Sequence, residues 1–306
     1  MNKFKYLYDD YLIRSANSIQ HPPFRTHFIG HPMFDRIFKM EQPIDVQDKF
    51  LEEYTNWIKK SKLNSFTGLD YFPNKFISLG VTQAIDDYIL FCFKKNLKLR
   101  MFKGEYPYAR ESSDILKNNK EIDDFKLLPG DAVLISCPFS ATGDKHPNWD
   151  WLVDECTRLS IPIFVDCAFF GTCRDIVVDF SFDCFDTISF SPTKGLNCGN
   201  FRTGISFTKR KGKDCTLDIL QQWHHGIHMH TALALELLKK YGPDTIPDTY
   251  TEIQKQVCDY YGLTPTKTIH LALGNNEWSY FNRDNICNRI GIKFPIGDLA
   301  RGEKLK

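Results

Sequence analysis

The sequence predicts an α/β fold built on a mostly parallel sheet with helices on both faces. Two observations support this. From residue 75 to residue 208, short apolar runs alternate with longer amphipathic segments. Strands separated by helical crossovers pair in parallel and need cover on both faces. The composition can fill such a structure: 306 residues, 42% hydrophobic and 14% aromatic, with 25 Phe and 13 Tyr. That is enough for a large domain with a smaller one beside it.

Residues 1–44 are rich in aromatics, Pro and His, lack periodicity and read as an irregular arm. In DVQDKFLEEYTNWIKKSK (45–62), Phe50, Tyr54 and Ile58 recur every fourth position and Asp45 can cap, which predicts a helix. The alternation then runs as follows. KFISLG (75–80) is a strand, TQAIDDYILFCFKKN (82–96) a helix, LKLRMF (97–102) a strand and YARESSDILKNNK (108–120) a helix. DAVLIS (131–136) is a strand, NWDWLVDECTRLS (148–160) a helix and IPIFVD (161–166) a strand. FDTISFS (185–191) and RTGISFT (202–208) are two more strands. Residues 214–242 read as one long or broken helix and 248–262 as another, with strands at 268–274 and 286–292. The expected division is an arm and helix at 1–62, a large domain at 63–214, and a small α+β domain at 215–306 that shares the arm.

A net charge of +1 gives no electrostatic reason to expect nucleic acid or a membrane surface as partner. Ten cysteines are scattered without a C-x-x-C pair, so they read as reduced thiols in a reducing compartment. The N-terminus has no signal-peptide apolar region and no run of 18 apolar residues occurs, so a cytoplasmic protein is expected. Neither G-x-x-x-x-G-K-[ST] nor G-x-G-x-x-G is present, which argues against a nucleotide site.

In open α/β sheets ligands bind at the carboxyl ends of strands. That rule selects Gly80, Ser136, Asp166 and Ser191. Asp166 ends an apolar strand, where a carboxylate is costly to bury without a partner. Gly80, Val81 and Thr82 join a strand to a helix, and the N–H groups of such a turn suit an anion. SFSPTKGLNCGNFRTG (189–204) adds the hydroxyl of Ser191, the amine of Lys194 and the guanidinium of Arg202. His224 and His228 stand four apart on a helix, a chelating spacing, but lack the Glu of H-E-x-x-H; no metal is expected.

The order of these features resembles the fold type I pyridoxal-phosphate enzymes, the aspartate aminotransferase superfamily. The family's S-x-x-K with a following Arg stands as Ser191-Pro192-Thr193-Lys194 and Arg202. Its D-x-A-Y stands as Asp166-Cys167-Ala168-Phe169, and its N-P-T-G as Ser140-Ala141-Thr142-Gly143. The aromatic that stacks on the cofactor falls in GEYPYAR, as Tyr106 or Tyr108. The resemblance covers about residues 65–210 well and the rest loosely. It implies pyridoxal 5'-phosphate (PLP) as cofactor and Lys194 as the Schiff-base and proton-shuttling lysine. Asp166 would hold the ring nitrogen. Gly80, Val81, Thr82, Ser191 and Arg202 would hold the phosphate. Arg289, with Arg283 as the second choice, would meet a substrate carboxylate.

Two positions depart from the pattern. Phe169 and Ser140 replace a Tyr and an Asn that hydrogen-bond the ring oxygen. The chain is also short for the family, so a trimmed small domain is expected. The activity implied is transamination between a small amine donor and a keto or aldehyde acceptor, in a homodimer. A lyase, decarboxylase or racemase on the same fold stays open, as does a catalytically silent binding protein.

Overall fold

The structure is a computed structural model that describes residues 13–27, 44–115, 119–122, 126–223 and 228–305. The arm contributes a short helix, α1 (Pro22–Thr26), and the longer α2 (Ile44–Lys59). Phe50, Tyr54, Trp57 and Ile58 form the buried stripe of α2, as the spacing predicts. The short strand β1 (Ser65–Thr67) follows.

The alternation is realised as β2 (Asn74–Ser78), α3 (Val81–Lys94), β3 (Lys98–Met101), α4 (Pro107–Ile115) and β4 (Asn119–Glu121). It continues through β5 (Asp131–Ser136), α5 (Trp149–Leu159), β6 (Ile163–Cys167), β7 (Val177–Asp179), β8 (Phe185–Phe190), the one-turn α6 (Pro192–Gly195) and β9 (Gly204–Thr208). Seven of these strands form one sheet in the order β2-β9-β8-β6-β5-β3-β4. Only β9 runs antiparallel to its neighbours; every other pairing in this sheet is parallel. Every residue of β5 and β6 is buried, as befits parallel strands covered on both faces. β1 and β7 pair with each other, apart from this sheet.

The helix expected over 108–120 is shorter. It starts at Pro107, a favoured first helical position, and ends at Ile115. Residues 119–121 instead form β4, pairing Leu99 with Asn119 and Met101 with Glu121 at the sheet edge. Asn is a poor helix former, and the open edge of β3 offers that segment ladder hydrogen bonds.

Beyond β9 the chain forms α7 (Thr216–Gln222), α8 (His228–Lys240) and α9 (Thr245–Tyr261). The expected long or broken helix is thus seen as two helices, with residues 224–227, His224 among them, outside the described residues. Strands β10 (Leu263–Pro265), β11 (Leu271–Gly274), β12 (Asn282–Arg283) and β13 (Cys287–Gly291) make an antiparallel sheet, and α10 (Lys293–Ala300) ends the fold. Buried residues of α2, the large sheet, α8, α9 and the second sheet join in one hydrophobic core. That shared core brings β12, β13 and the arm to the carboxyl ends of β5, β6 and β8.

Candidate active site

A cavity of about 950 Å³ opens at those strand ends. Of the residues the sequence singled out, Val81, Thr82, Tyr106, Ser136, Ser140, Asp166, Phe169, Ser191, Lys194, Arg202, Arg283 and Arg289 line it. Gly80 lies against its wall; Tyr108 does not reach it.

One end is a cup at the N-terminus of α3. Gly80 caps the helix at φ +75°, a conformation glycine adopts without strain. A Cβ there would lie 3.2 Å from Arg202 Nη2 and 3.6 Å from Ser191 Oγ, so glycine leaves the space between these donors open. Arg202 Nη2 donates to Thr82 Oγ1 at 2.9 Å. Ser191 Oγ caps α6 by accepting from Thr193 N at 3.2 Å and donates to Thr203 O at 2.9 Å. A helix N-terminus, two hydroxyls and a guanidinium around an open space form a ready anion site.

The middle holds Asp166 and Lys194. Asp166 is the next-to-last residue of β6, 5% exposed, and its Oδ1 accepts from Ala168 N at 2.8 Å. Burial pushes its pKa up, against the pull of the Lys194 ammonium and the Ala168 hydrogen bond. Lys194 follows β8 on α6, with Nζ 5.0 Å from the centre of the Phe169 ring. Burial lowers its pKa; Asp166 opposes this, and Arg202 and Arg289 reinforce it. The neutral amine is therefore more accessible than on an exposed lysine. His270 packs edge-on to Phe169 at 5.2 Å, and neither of its buried ring nitrogens has a hydrogen-bond partner among the described residues.

The other end is basic. Arg289 on β13, 5% exposed, donates to Ser140 O at 2.7 Å and to Arg14 O at 2.6 Å. Arg283 on β12 donates to Ser140 Oγ at 3.1 Å, Glu105 O at 3.0 Å and Gly104 O at 3.3 Å. Burial and then the neighbouring Arg283 lower the pKa of Arg289. Neither arginine has a carboxylate at ion-pair distance among the described residues.

Tyr106 and Tyr108 separate clearly. Their rings lie 5.9 Å apart, but the Tyr108 hydroxyl is committed to both oxygens of Asp86 at 2.8 Å. Of the two, Tyr106 lines the cavity. Of the histidine-rich stretch, His228 Nδ1 meets Gln47 Nε2 at 3.3 Å and His230 Nδ1 meets Arg202 O at 3.0 Å.

Sequence reasoning missed Lys293 and the arm residues Arg14–Ser18 and Gln20, which line the cavity, and Glu105, which lies behind Tyr106 and Ser136 of its wall. The arm is tied down by Ser18 Oγ donating to Thr193 O at 2.9 Å and by reciprocal amide bonds between Gln20 and Asn197. Arg14 and Lys293 lie in segments without periodic signal. Glu105 could have been noticed, since it stands inside GEYPYAR beside the chosen aromatic.

No family model matches the chain, and no curated protein matches it. Solved structures do. A PLP-bound putative aminotransferase from Clostridium difficile 630 superposes with a TM-score of 0.68 at 12% identity, over 97% of this chain and 93% of that one. An aromatic aminotransferase from Pyrococcus horikoshii gives 0.66 at 11%, over 94% and 92%. A PLP-bound C-S lyase from Staphylococcus hominis, complexed with L-cycloserine, gives 0.62 at 13%, over 99% and 92%. Identities this low speak for the fold alone. Together with the sheet order and its single antiparallel strand, they show that this chain has the fold of the fold type I PLP-dependent enzymes.

Proposed function

We propose that the protein is a PLP-dependent aminotransferase acting on an amino acid or a related small amine. The observation that carries this reading is a half-buried lysine and a buried aspartate in one cavity, with an anion cup beside them. The residues present fit the cofactor: the Gly80 cradle with Thr82, Ser191 and Arg202 suits a phosphate, and Asp166 suits a protonated ring nitrogen. Lys194 would attach it covalently, with Tyr106 and Phe169 flanking the ring. When bound, PLP supplies an electron sink for the pair left on a substrate carbon that loses its proton.

The chain's own residues would do the rest. A substrate carboxylate would pair with Arg289 and Arg283, whose hydrogen-bond partners among the described residues are neutral. Lys194, once freed by the incoming amine, would take the proton from the substrate carbon and return it across the site. Phe169 brings no hydrogen-bond donor, and the Ser140 hydroxyl already accepts from Arg283. The ring oxygen of the cofactor would thus be less restrained than in the family pattern. The C-S lyase among the neighbours keeps a lyase as the second reading on the same residues.

The same reading treats residues 1–62 and 215–306 as one small domain beside the large domain of 63–214. It also expects a homodimer. Leu79, next to Gly80, is exposed, as are Ile219 and Trp223 at α7, whose Gln221 accepts from Ile77 N; a second copy could cover them. Among the described residues no helix is long and apolar enough to cross a membrane.

The first test is the absorbance spectrum of the purified protein with PLP, before and after borohydride. A visible band that borohydride removes, and that Lys194→Ala cannot form, supports the cofactor and the lysine. Absence of that band overturns the reading. An amine donor that converts the cofactor to its aminated form then selects transamination over lyase chemistry.

A further inference from the structure

Glu105 follows β3 and is 1% exposed. No cation lies at ion-pair distance among the described residues. Its partners are all hydrogen-bond donors from the cavity wall. Oε1 accepts from Ser136 N at 2.6 Å and Oε2 from Tyr106 N at 2.9 Å. Ser136 Oγ donates to the same carboxylate at 2.8 and 3.0 Å. Ser136 Oγ in turn accepts from Ser140 N at 2.8 Å. Ser140 is where both arginines converge, Arg283 on its hydroxyl and Arg289 on its carbonyl. Ser136 also stands in register with Asp166 on the neighbouring strand.

We propose that Glu105 is a positioning residue: its ionised carboxylate fixes Ser136 and, through it, the Ser140 turn that holds Arg283 and Arg289 ready for a substrate carboxylate. This rests on the reading of those arginines given above. The donor set requires an acceptor-only group, because two backbone N–H groups and a hydroxyl point at it. A protonated Glu105 would have to place its own proton among those donors, so at least one contact would loosen.

The charge is held at a cost. Burial, and then Asp166 against the pull of the hydrogen bonds, pushes the Glu105 pKa up to about 7. The folded state therefore keeps a proton that the unfolded chain has already released, and stability declines as pH rises from about 4.5 to about 7. A neutral side chain would avoid that loss, which is the pattern expected of a group retained for function. The charged and titratable groups that face Glu105 are Asp166 from β6, Arg283 from β12 and Cys137 just after β5.

The test measures binding, so it does not depend on turnover. Holoprotein is titrated with 2-methylalanine, which carries a carboxylate, and with isopropylamine, which does not. The shift of the visible band gives both dissociation constants from pH 8.5 to pH 6. Taking their ratio cancels the protonation of the two amines. In the wild type the preference for 2-methylalanine should fall roughly five- to tenfold as pH drops through about 7. In Glu105→Gln the preference should be low throughout and flat with pH, with the band and the circular dichroism of the fold retained. A flat ratio in the wild type, or the same slope in Glu105→Gln, overturns the proposal. If Glu105→Gln does not fold, the wild-type ratio alone decides. A protein that binds both amines with the expected ratio but never transaminates would sink the aminotransferase reading and leave this one standing.

Discussion

The two ends of the cavity are built differently. The anion cup uses Gly80, Thr82, Ser191 and Arg202, which sit at the ends of β2 and β8 and at the entrance to β9. The basic end uses Arg283 and Arg289 from the second sheet, Arg14 from the arm, Ser140 from a turn after β5 and Glu105 after β3. One end is a property of the large sheet alone. The other exists only when three distant parts of the chain come together. Damage to the cup should therefore act on cofactor binding, and damage to the basic end on substrate choice.

Lys194 stands between the two ends and should show the largest effect. On the proposed function Lys194→Ala would remove both the covalent attachment and the proton carrier, so amine transfer should fall by at least about 10³-fold. Single-turnover conversion of the cofactor by an amine donor measures this. A variant that keeps more than a few per cent of the rate would assign the proton transfer to another group. Arg202→Ala should come next. Loss of a charged hydrogen bond to a phosphate costs about 1.5–3 kcal/mol, or on the order of 10- to 100-fold in PLP affinity. The substrate preference of the reloaded protein should not change. If preference changes as much as affinity, the two ends are not separate.

Those expectations also show what was legible in the sequence. The cup and the Lys194–Asp166 pair were legible because each residue falls at or near the end of a strand or, for Arg202, just before one, and the strands have a clear periodic signal. At the basic end the sequence singled out Arg283, Arg289 and Ser140, but not the contacts among them. What links the two arginines, the carbonyl and hydroxyl of Ser140 with Glu105 behind, depends on long-range contacts that no local pattern encodes. The same limit explains the helix expected over 108–120. Its last residues take their structure from β3, not from their own preference.

Arg289→Ala sharpens the comparison from the basic side. It should raise KM for a carboxylate-bearing amine by about 10- to 100-fold, since a charged pair within a buried site is lost. Affinity for PLP, measured by titration of the apoprotein, should stay within about twofold. An equal loss for an amine without a carboxylate would mean that Arg289 holds the turn at Ser140 and not the substrate.

The smallest effects separate the two tyrosines. Tyr106 lines the cavity at 36% exposure, and Tyr106→Ala should weaken PLP by on the order of tenfold through loss of a stacking face. Tyr108→Phe should leave PLP affinity unchanged. Its hydroxyl serves Asp86, whose pKa is raised by burial and held down by that hydrogen bond. Removing the hydroxyl should raise the Asp86 pKa further, so the variant loses stability where Asp86 must be ionised, at neutral and higher pH. It should match the wild type where Asp86 is protonated. The loss at neutral pH should be about 1 kcal/mol or less, because Asp86 is partly exposed and water can replace the phenol. Thermal melts of the apoprotein at two pH values measure it. A Tyr108→Phe protein with wild-type stability and weakened PLP would exchange the roles of the two rings and place the cofactor outside the cavity wall that Tyr106 forms.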